Sequence, residues 1–163
     1  MLDIRAQGDL FGGLAVLGQP RYPESAAAQT ACCVLVIARD DFRNLLQSYP
    51  DVALNVVDGL ARELAAAHDS IEAISTMSVD ARVTLVLLRL ADRLGQPDDS
   101  GILIQSALSQ QDLAAMVSTT PETVSRVISG LRRSGHVETG RRWIRIRDRA
   151  TLARLAEGDG HPH

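Results

Sequence analysis

Lysine is absent from this chain, and all 17 basic residues are arginine. Genome base composition accounts for that bias as well as function does, so it excludes no partner. Aromatic residues are scarce: Phe11, Phe42, Trp143, Tyr22 and Tyr49 make up 3% of the sequence, so a core has to be built from Ala, Leu, Val and Ile. No run approaches the roughly 18 consecutive apolar residues of a spanning helix. No basic-then-apolar leader follows Met1, so a cytoplasmic protein with no membrane partner is expected. Cysteine occurs only as the adjacent pair Cys32 and Cys33. Two thiols exclude a disulfide framework, a four-cysteine metal site and an iron–sulfur cluster. They lie in an apolar run of strand length, where neighbours alternate faces, so one is expected in the core and the other outward. A glycine-rich phosphate loop, a paired-histidine metal motif and a nucleophile elbow are all missing. No catalytic residue, metal ligand or cofactor is therefore predicted, and an enzyme is not the expected class.

The 163 residues, 45% apolar and 23% charged, suffice for one or two folded domains. Their charge is unevenly divided. The formal net charge is −3, yet residues 108–154 carry nine arginines (Arg126, Arg132, Arg133, Arg141, Arg142, Arg145, Arg147, Arg149, Arg154) against four acids (Asp112, Glu122, Glu138, Asp148). That stretch is +5, which leaves −8 for the remainder. The whole-chain pI of 5.8 argues against a nucleic-acid partner, whereas the segregation argues for one confined to the C-terminal third.

The first 39 or so residues are punctuated by Gly8, Gly12, Gly13 and Gly18, and residues 30–37 (TACCVLVI) have the length and β-branched content of a strand. A β-hairpin region is expected there, too small to close a β domain alone. Residues 40–47 (DDFRNLLQ) predict a short helix with acids at its start, interrupted by Tyr49-Pro50-Asp51. Then Val57, Leu60, Leu64, Ala67, Ile71 and Ile74 step by alternating threes and fours, which is a heptad seam along one helix. Such a stripe packs either on its own domain or on another helix. The small residues Ala61, Ala65, Ala66 and Ala67 favour close pairing, between two copies of the chain.

Ser78 is a good N-cap for a further helix, with Val83, Val86, Leu87, Leu90 and Leu94 on its apolar face and Gly95 and Pro97 to stop it. Residues 101–105 predict a short strand. Ser109, with Asp112 three residues on, is a capping-box variant. Ser118-Thr119-Thr120 is a tight turn, and Thr120 caps the next helix with Pro121 at its first position and Gly135 past its end. Residues 136–146 read as a hairpin around Gly140, with Ile144 and Ile146 on one face and Arg145 and Arg147 on the other. A last helix is expected over about residues 150–157.

The order helix, short strand, helix, tight turn, helix, β-hairpin is that of a winged helix-turn-helix, whose second helix enters a DNA major groove. On residues 108–114 (LSQQDLA) and 121–126 (PETVSR), the chain resembles the recognition region of the cyclic-AMP receptor protein and fumarate–nitrate reductase regulator (Crp/Fnr) family of bacterial transcription factors. The heptad seam resembles that family's dimer helix, and residues 8–12 (GDLFG) its sensor-domain turn, so the likeness covers nearly the whole chain. It implies an α+β fold: a partial β-roll of cyclic-nucleotide-binding type over residues 1–48, a long dimerisation helix over 49–77, a winged helix-turn-helix over 78–157 and a tail over 158–163. Relatives carry several more strands before the Gly8 turn, so either the native start lies upstream or the sensor domain is shortened.

Glu122 and Arg126 lie four apart, on one helix face. The arginine fork matches O6 and N7 of guanine, and glutamate accepts from N4 of cytosine, so together they can read a G·C pair and its neighbour. Ser125 is small enough to touch a base or phosphate. The competing reading is a surface Glu122–Arg126 ion pair. Ser109, Thr120 and Thr123 place hydroxyls near helix N-termini, where phosphates dock, and Arg132, Arg133, Arg141, Arg142 and Arg145 are candidate DNA-backbone contacts. Solvated surface arginine is the competing reading for some of these. By resemblance, relatives that read a TGTGA-type half-site carry Arg where Pro121 stands. Glu122, Ser125 and Arg126 are closer to the branch that reads a TTGAT-type half-site. A palindrome with a G·C pair in each half is expected.

In ligand-binding relatives, a Gly-Glu-Leu turn offers Glu to the ribose, and an Arg-Ser/Thr-Ala turn offers Arg and a hydroxyl to the cyclic phosphate. The matching stretches here are Gly12-Gly13-Leu14 and Glu24-Ser25-Ala26. Gly13 stands for the Glu and Glu24 for the Arg, which sets negative charge against a phosphate. A vestigial pocket is expected, with cyclic AMP not the effector. The expected function is a homodimeric, sequence-specific regulator bound to double-stranded DNA, with RNA polymerase as a further partner. The alternatives are a cyclic-nucleotide-responsive factor and a dimeric interaction module that has lost specific DNA binding.

Overall fold

A computed structural model describes residues 3–12, 25–105 and 108–158. The chain divides into two compact units, Gln7–Ile71 and a second made of Met1–Ala6 with Glu72–His163.

The first unit is helical where it is regular. Asp40 and Asp41 stand in the first turn of α1 (Arg39–Ser48), where the helix dipole favours acids. Tyr49 leaves helical geometry, and Pro50, which has no N–H to lose, starts α2 (Pro50–Thr76). Phe42 alone is buried among the described residues of this unit, which therefore form no apolar core. The strand expected over residues 30–37 does not form, and no strand precedes α1 among the described residues. Leu35 and Val36 stand 98% and 89% exposed on irregular backbone. β-branched side chains suit a pleated surface, but a strand also needs a neighbour to hydrogen-bond with, and no described residue supplies one. Cys32 and Cys33 are both exposed, so the alternation of faces expected of them is lost with the strand.

The second unit holds the core. Ser78 caps α3 (Val79–Leu94), its Oγ accepting the Ala81 N–H at 3.2 Å. Val83, Val86, Leu87 and Leu90 are buried, as their spacing predicts. Thr84 is buried with them and donates its hydroxyl to the Asp80 carbonyl at 2.8 Å, so that hydroxyl is satisfied within the helix. After α3 come β1 (Gly95–Asp98), β2 (Gly101–Gln105), α4 (Gln110–Val117), α5 (Pro121–Arg133), β3 (Val137–Gly140), β4 (Trp143–Ile146) and α6 (Arg149–Glu157). The strands make one antiparallel sheet in the order β1-β2-β4-β3. Ile104, Val137 and Ile146 from the sheet join the inner faces of α3, α4, α5 and α6 in a single apolar cluster. Ile4 packs on that cluster, and Asp3 accepts from Arg93 at 3.3 Å, which ties residues 3–6 to this unit.

Gly95 does end α3, but the chain continues as an edge strand, with Pro97 opposite Ile102. Proline is tolerated on an edge because a missing donor breaks no central ladder. At Gly95 a Cβ would run into the Ala91 carbonyl and the Ile102 side chain, so the close helix-to-strand turn depends on glycine.

Candidate nucleic-acid interface

Two short helices and the turn between them form the centre of the site. α4 opens on a closed capping box. Ser109 Oγ accepts the Asp112 N–H at 3.1 Å, and Asp112 Oδ2 accepts the Ser109 N–H at 2.9 Å and its hydroxyl at 2.8 Å. The one hydroxyl proton of Ser109 is thereby committed to a carboxylate. Ser118 then takes the left-handed conformation, φ 55°, and the Thr119 N–H reaches the Ala114 carbonyl at 3.0 Å. Thr120 Oγ1 caps α5, accepting the Thr123 N–H at 3.3 Å, and lies 3.2 Å from Thr123 Oγ1.

α5 is divided lengthwise. Val124, Val127, Ile128 and Leu131 are buried. Glu122, Arg126, Arg132 and Arg133 are exposed, with Thr123 and Ser125 half-buried beside them. Glu122 and Arg126 do not pair. The Glu122 carboxyl is instead held below the usual glutamate range by hydrogen bonds from its own backbone N–H and from the Thr120 hydroxyl. It is exposed and charged at neutral pH.

Arg141 and Arg142 form the tip of the wing, between Gly140 and its cross-strand partner Trp143. Arg142 has φ 66°. Further down, Arg145 Nη2 and Nε donate to Asp98 Oδ2 at 2.8 and 3.0 Å, and Nη1 donates to Glu138 Oε2 at 2.9 Å. Glu138 also pairs with Arg147, and Arg149 pairs with Asp92 at 2.8 Å. The Arg145 hydrogen bonds are the chief cause holding the carboxyls of Asp98 and Glu138 below their usual range. Arg154 donates to the Thr151 hydroxyl at 2.9 Å, and the other eight arginines of the basic third sort into two groups. Arg145, Arg147 and Arg149 are matched by acids. Arg126, Arg132, Arg133, Arg141 and Arg142 are exposed and form no ion pair among the described residues. Nothing in the linear charge pattern marks Asp92 or Asp98 as partners, since both precede the basic stretch.

On α2 the heptad residues Val57, Leu64, Ile71 and Ile74 stand 59%, 59%, 64% and 47% exposed, with Leu60 and Ala67 half-buried between them. Of the residues matched to a nucleotide pocket, Gly13 and Glu24 lie outside the described residues, Gly12 has φ 75°, and Ser25 and Ala26 are exposed on irregular backbone.

The cyclic AMP receptor protein of Thermus thermophilus is 33% identical to this chain over 157 residues, which cover 96% of this chain and 69% of that protein. The chain belongs to the Crp/Fnr family. The family's Crp-like helix-turn-helix domain matches residues 81–155, from within α3 to within α6, and its cyclic nucleotide-binding domain matches residues 1–49. A solved CRP/FNR-family transcriptional regulator from Thermus thermophilus superposes with a TM-score of 0.61 at 29% identity, over 69% of this chain and 57% of that one. FixK2 from Bradyrhizobium japonicum gives 0.66 at 27% identity, over 73% and 59%. This Crp/Fnr chain therefore spans between half and two thirds of those solved chains. As a Crp/Fnr protein it is a DNA-binding transcriptional regulator. No described helix is long and apolar enough to cross a membrane.

Proposed function

We propose that this Crp/Fnr chain works as a homodimer, joined along the α2 stripe, that lays α5 of each copy into successive major grooves of a palindromic site. The observation that carries the reading is on α5: Glu122 and Arg126 share its outward face, and neither spends its charge on the other. Arg126 takes guanine O6 and N7, Glu122 accepts from cytosine N4, and Ser125 lies beside both. Thr123, Arg132, Arg133, Arg141 and Arg142 hold phosphates. Ser109 and Thr120 act one step back, as helix caps. RNA polymerase is the further partner that such a regulator addresses.

Binding sites selected from random DNA, followed by fluorescence anisotropy, test this. Arg126→Ala is expected to lose about 1–3 kcal/mol of discrimination, roughly 5- to 150-fold between selected and random sequence. Arg142→Ala is expected to weaken every sequence alike and to reduce the slope of log affinity against log salt by about 0.9. Equal competition by random DNA against the parent protein would overturn the reading.

We infer further that cyclic AMP is not the effector, because Glu24 stands where a phosphate would need a cation. The name of the Thermus relative favours the second reading, a cyclic-nucleotide-responsive factor. Titration calorimetry separates the two: no binding heat is expected with cyclic AMP, and a micromolar dissociation constant would establish the second reading instead.

A further inference from the structure

Arg145 lies mid-sheet, on the face turned away from the core cluster. Its cross-strand neighbours are Leu103 on β2 and Glu138 on β3, and its guanidinium spans β2 to reach Asp98 at the end of β1. Three of its N–H groups are taken. Asp98 and Glu138 match the charges of Arg145 and Arg147, so this patch offers a phosphate no net charge.

The wing tip differs. Arg141 and Arg142 form no ion pair among the described residues, and Arg142 sits at a φ that favours glycine. A side chain held there persists only where its surroundings over-determine the backbone. Two contacts do so. The Trp143 indole covers Gly140 so closely that no Cβ fits between them. On the same ring, the Arg145 guanidinium lies 5.3 Å from the centroid, within cation–π range. Arg145 holds Trp143, Trp143 holds the strand pair that closes the turn, and the turn holds Arg141 and Arg142.

We propose that Arg145 is a positioning residue, the brace that fixes the wing so that Arg141 and Arg142 meet the DNA backbone, and is not itself a phosphate contact. The proposal rests on the DNA-binding reading above. Its test has one arm without DNA. Trp143 is the only tryptophan, so its emission reports the brace directly. Arg145→Met is expected to raise acrylamide quenching of Trp143 about twofold in the DNA-free protein, with the far-ultraviolet dichroism unchanged. On DNA, Arg145→Met is expected to weaken binding by about as much as Arg141→Ala with Arg142→Ala, and to cost less than about twofold more when added to that pair. Arg145→Lys is expected to behave like Arg145→Met, because an ammonium cannot fork between two carboxylates while stacking on a ring. A phosphate contact would survive the change to lysine. Full binding by Arg145→Lys, or an undiminished loss in the double-alanine background, would make Arg145 a direct contact and overturn the proposal. Unchanged Trp143 quenching would overturn it too. A parent protein without DNA affinity would refute the function proposed above, while the quenching result would still decide whether the brace exists.

Discussion

Placing Glu at both Leu64 and Ile71 is expected to leave α2 helical, turn a dimer into a monomer and cut affinity for a full palindrome by about 10²- to 10⁴-fold, with half-site affinity unchanged. The described residues of the first unit form no core. Phe42 is its only buried described residue, while Val57, Leu64 and Ile71 leave more than half of their surface in water; Ile74, which continues the stripe beyond this unit, is 47% exposed. Burying each such side chain is worth roughly 1.5–3 kcal/mol, and the 3-4 spacing presents them all along one line that a second copy of the helix can match. In a two-fold pair the same positions face each other, so Glu at 64 and 71 both removes apolar area and opposes like charges. Glutamate is a good helix former, so the helix itself is spared. Linking two recognition helices makes the second binding event intramolecular, which is why breaking the pair costs so much on the palindrome and nothing on a half-site. Arg62→Glu, off the stripe, serves as the control and is expected to stay dimeric. Sedimentation equilibrium and anisotropy on both DNAs read the outcome. A doubly substituted protein that remains dimeric at parent affinity would show that the copies pair elsewhere.

What the sequence revealed, and what it hid, follows from the range over which each signal acts. The helix-turn-helix was legible because its caps are local chemistry: Ser78, Ser109 with Asp112, and Thr120 with Pro121 each satisfy backbone groups within three residues. The buried face of α3 was legible from its period. β1 was not, since Gly-Gln-Pro-Asp has no β-branched or aromatic residue, and only pairing with β2 makes it a strand. Residues 30–37 are the reverse case, a strand-like composition without a described partner. The linear charge pattern marks the basic third but overstates the surface available to DNA. Asp92 and Asp98 lie outside that third, and folding brings them onto Arg149 and Arg145. Which arginines remain for phosphate is thus a tertiary property. The resemblance carried by residues 108–126 located the recognition helix, yet it could not say that Glu122 and Arg126 would leave each other unpaired.

Gly101→Ala is expected to destabilise the protein by roughly 2–6 kcal/mol, enough to consume much of the 5–15 kcal/mol that typically holds a domain folded. Gly101 closes the β1–β2 hairpin opposite Asp98, whose side chain accepts the Ser100 N–H at 2.9 Å within the turn. Its φ of 136° lies in a region L-residues rarely enter. A Cβ there would also strike the Ile146 carbonyl and come within 3.2 Å of the Arg147 Cα. These are backbone atoms of β4 and of the residue after it, so no side-chain rotation relieves the clash. Relief requires β4 to move away from β2, and β4 carries Ile146, 1% exposed, into the core cluster that also holds Ile104. The same movement would undo the sheet that supports the wing, so DNA affinity is expected to fall with stability. Gly130→Ala gives the contrast. Gly130 lies inside α5 with nothing within 4 Å of an added Cβ, so the substitution is expected to stabilise by about 0.5–1 kcal/mol through helix propensity alone. Urea denaturation of both variants, read as midpoint and slope, measures the pair. The same methyl group added at two glycines is expected to shift the midpoint in opposite directions. A Gly101→Ala midpoint level with the parent would mean that β2 and β4 do not pair as closely as the Ile102–Ile146 register places them.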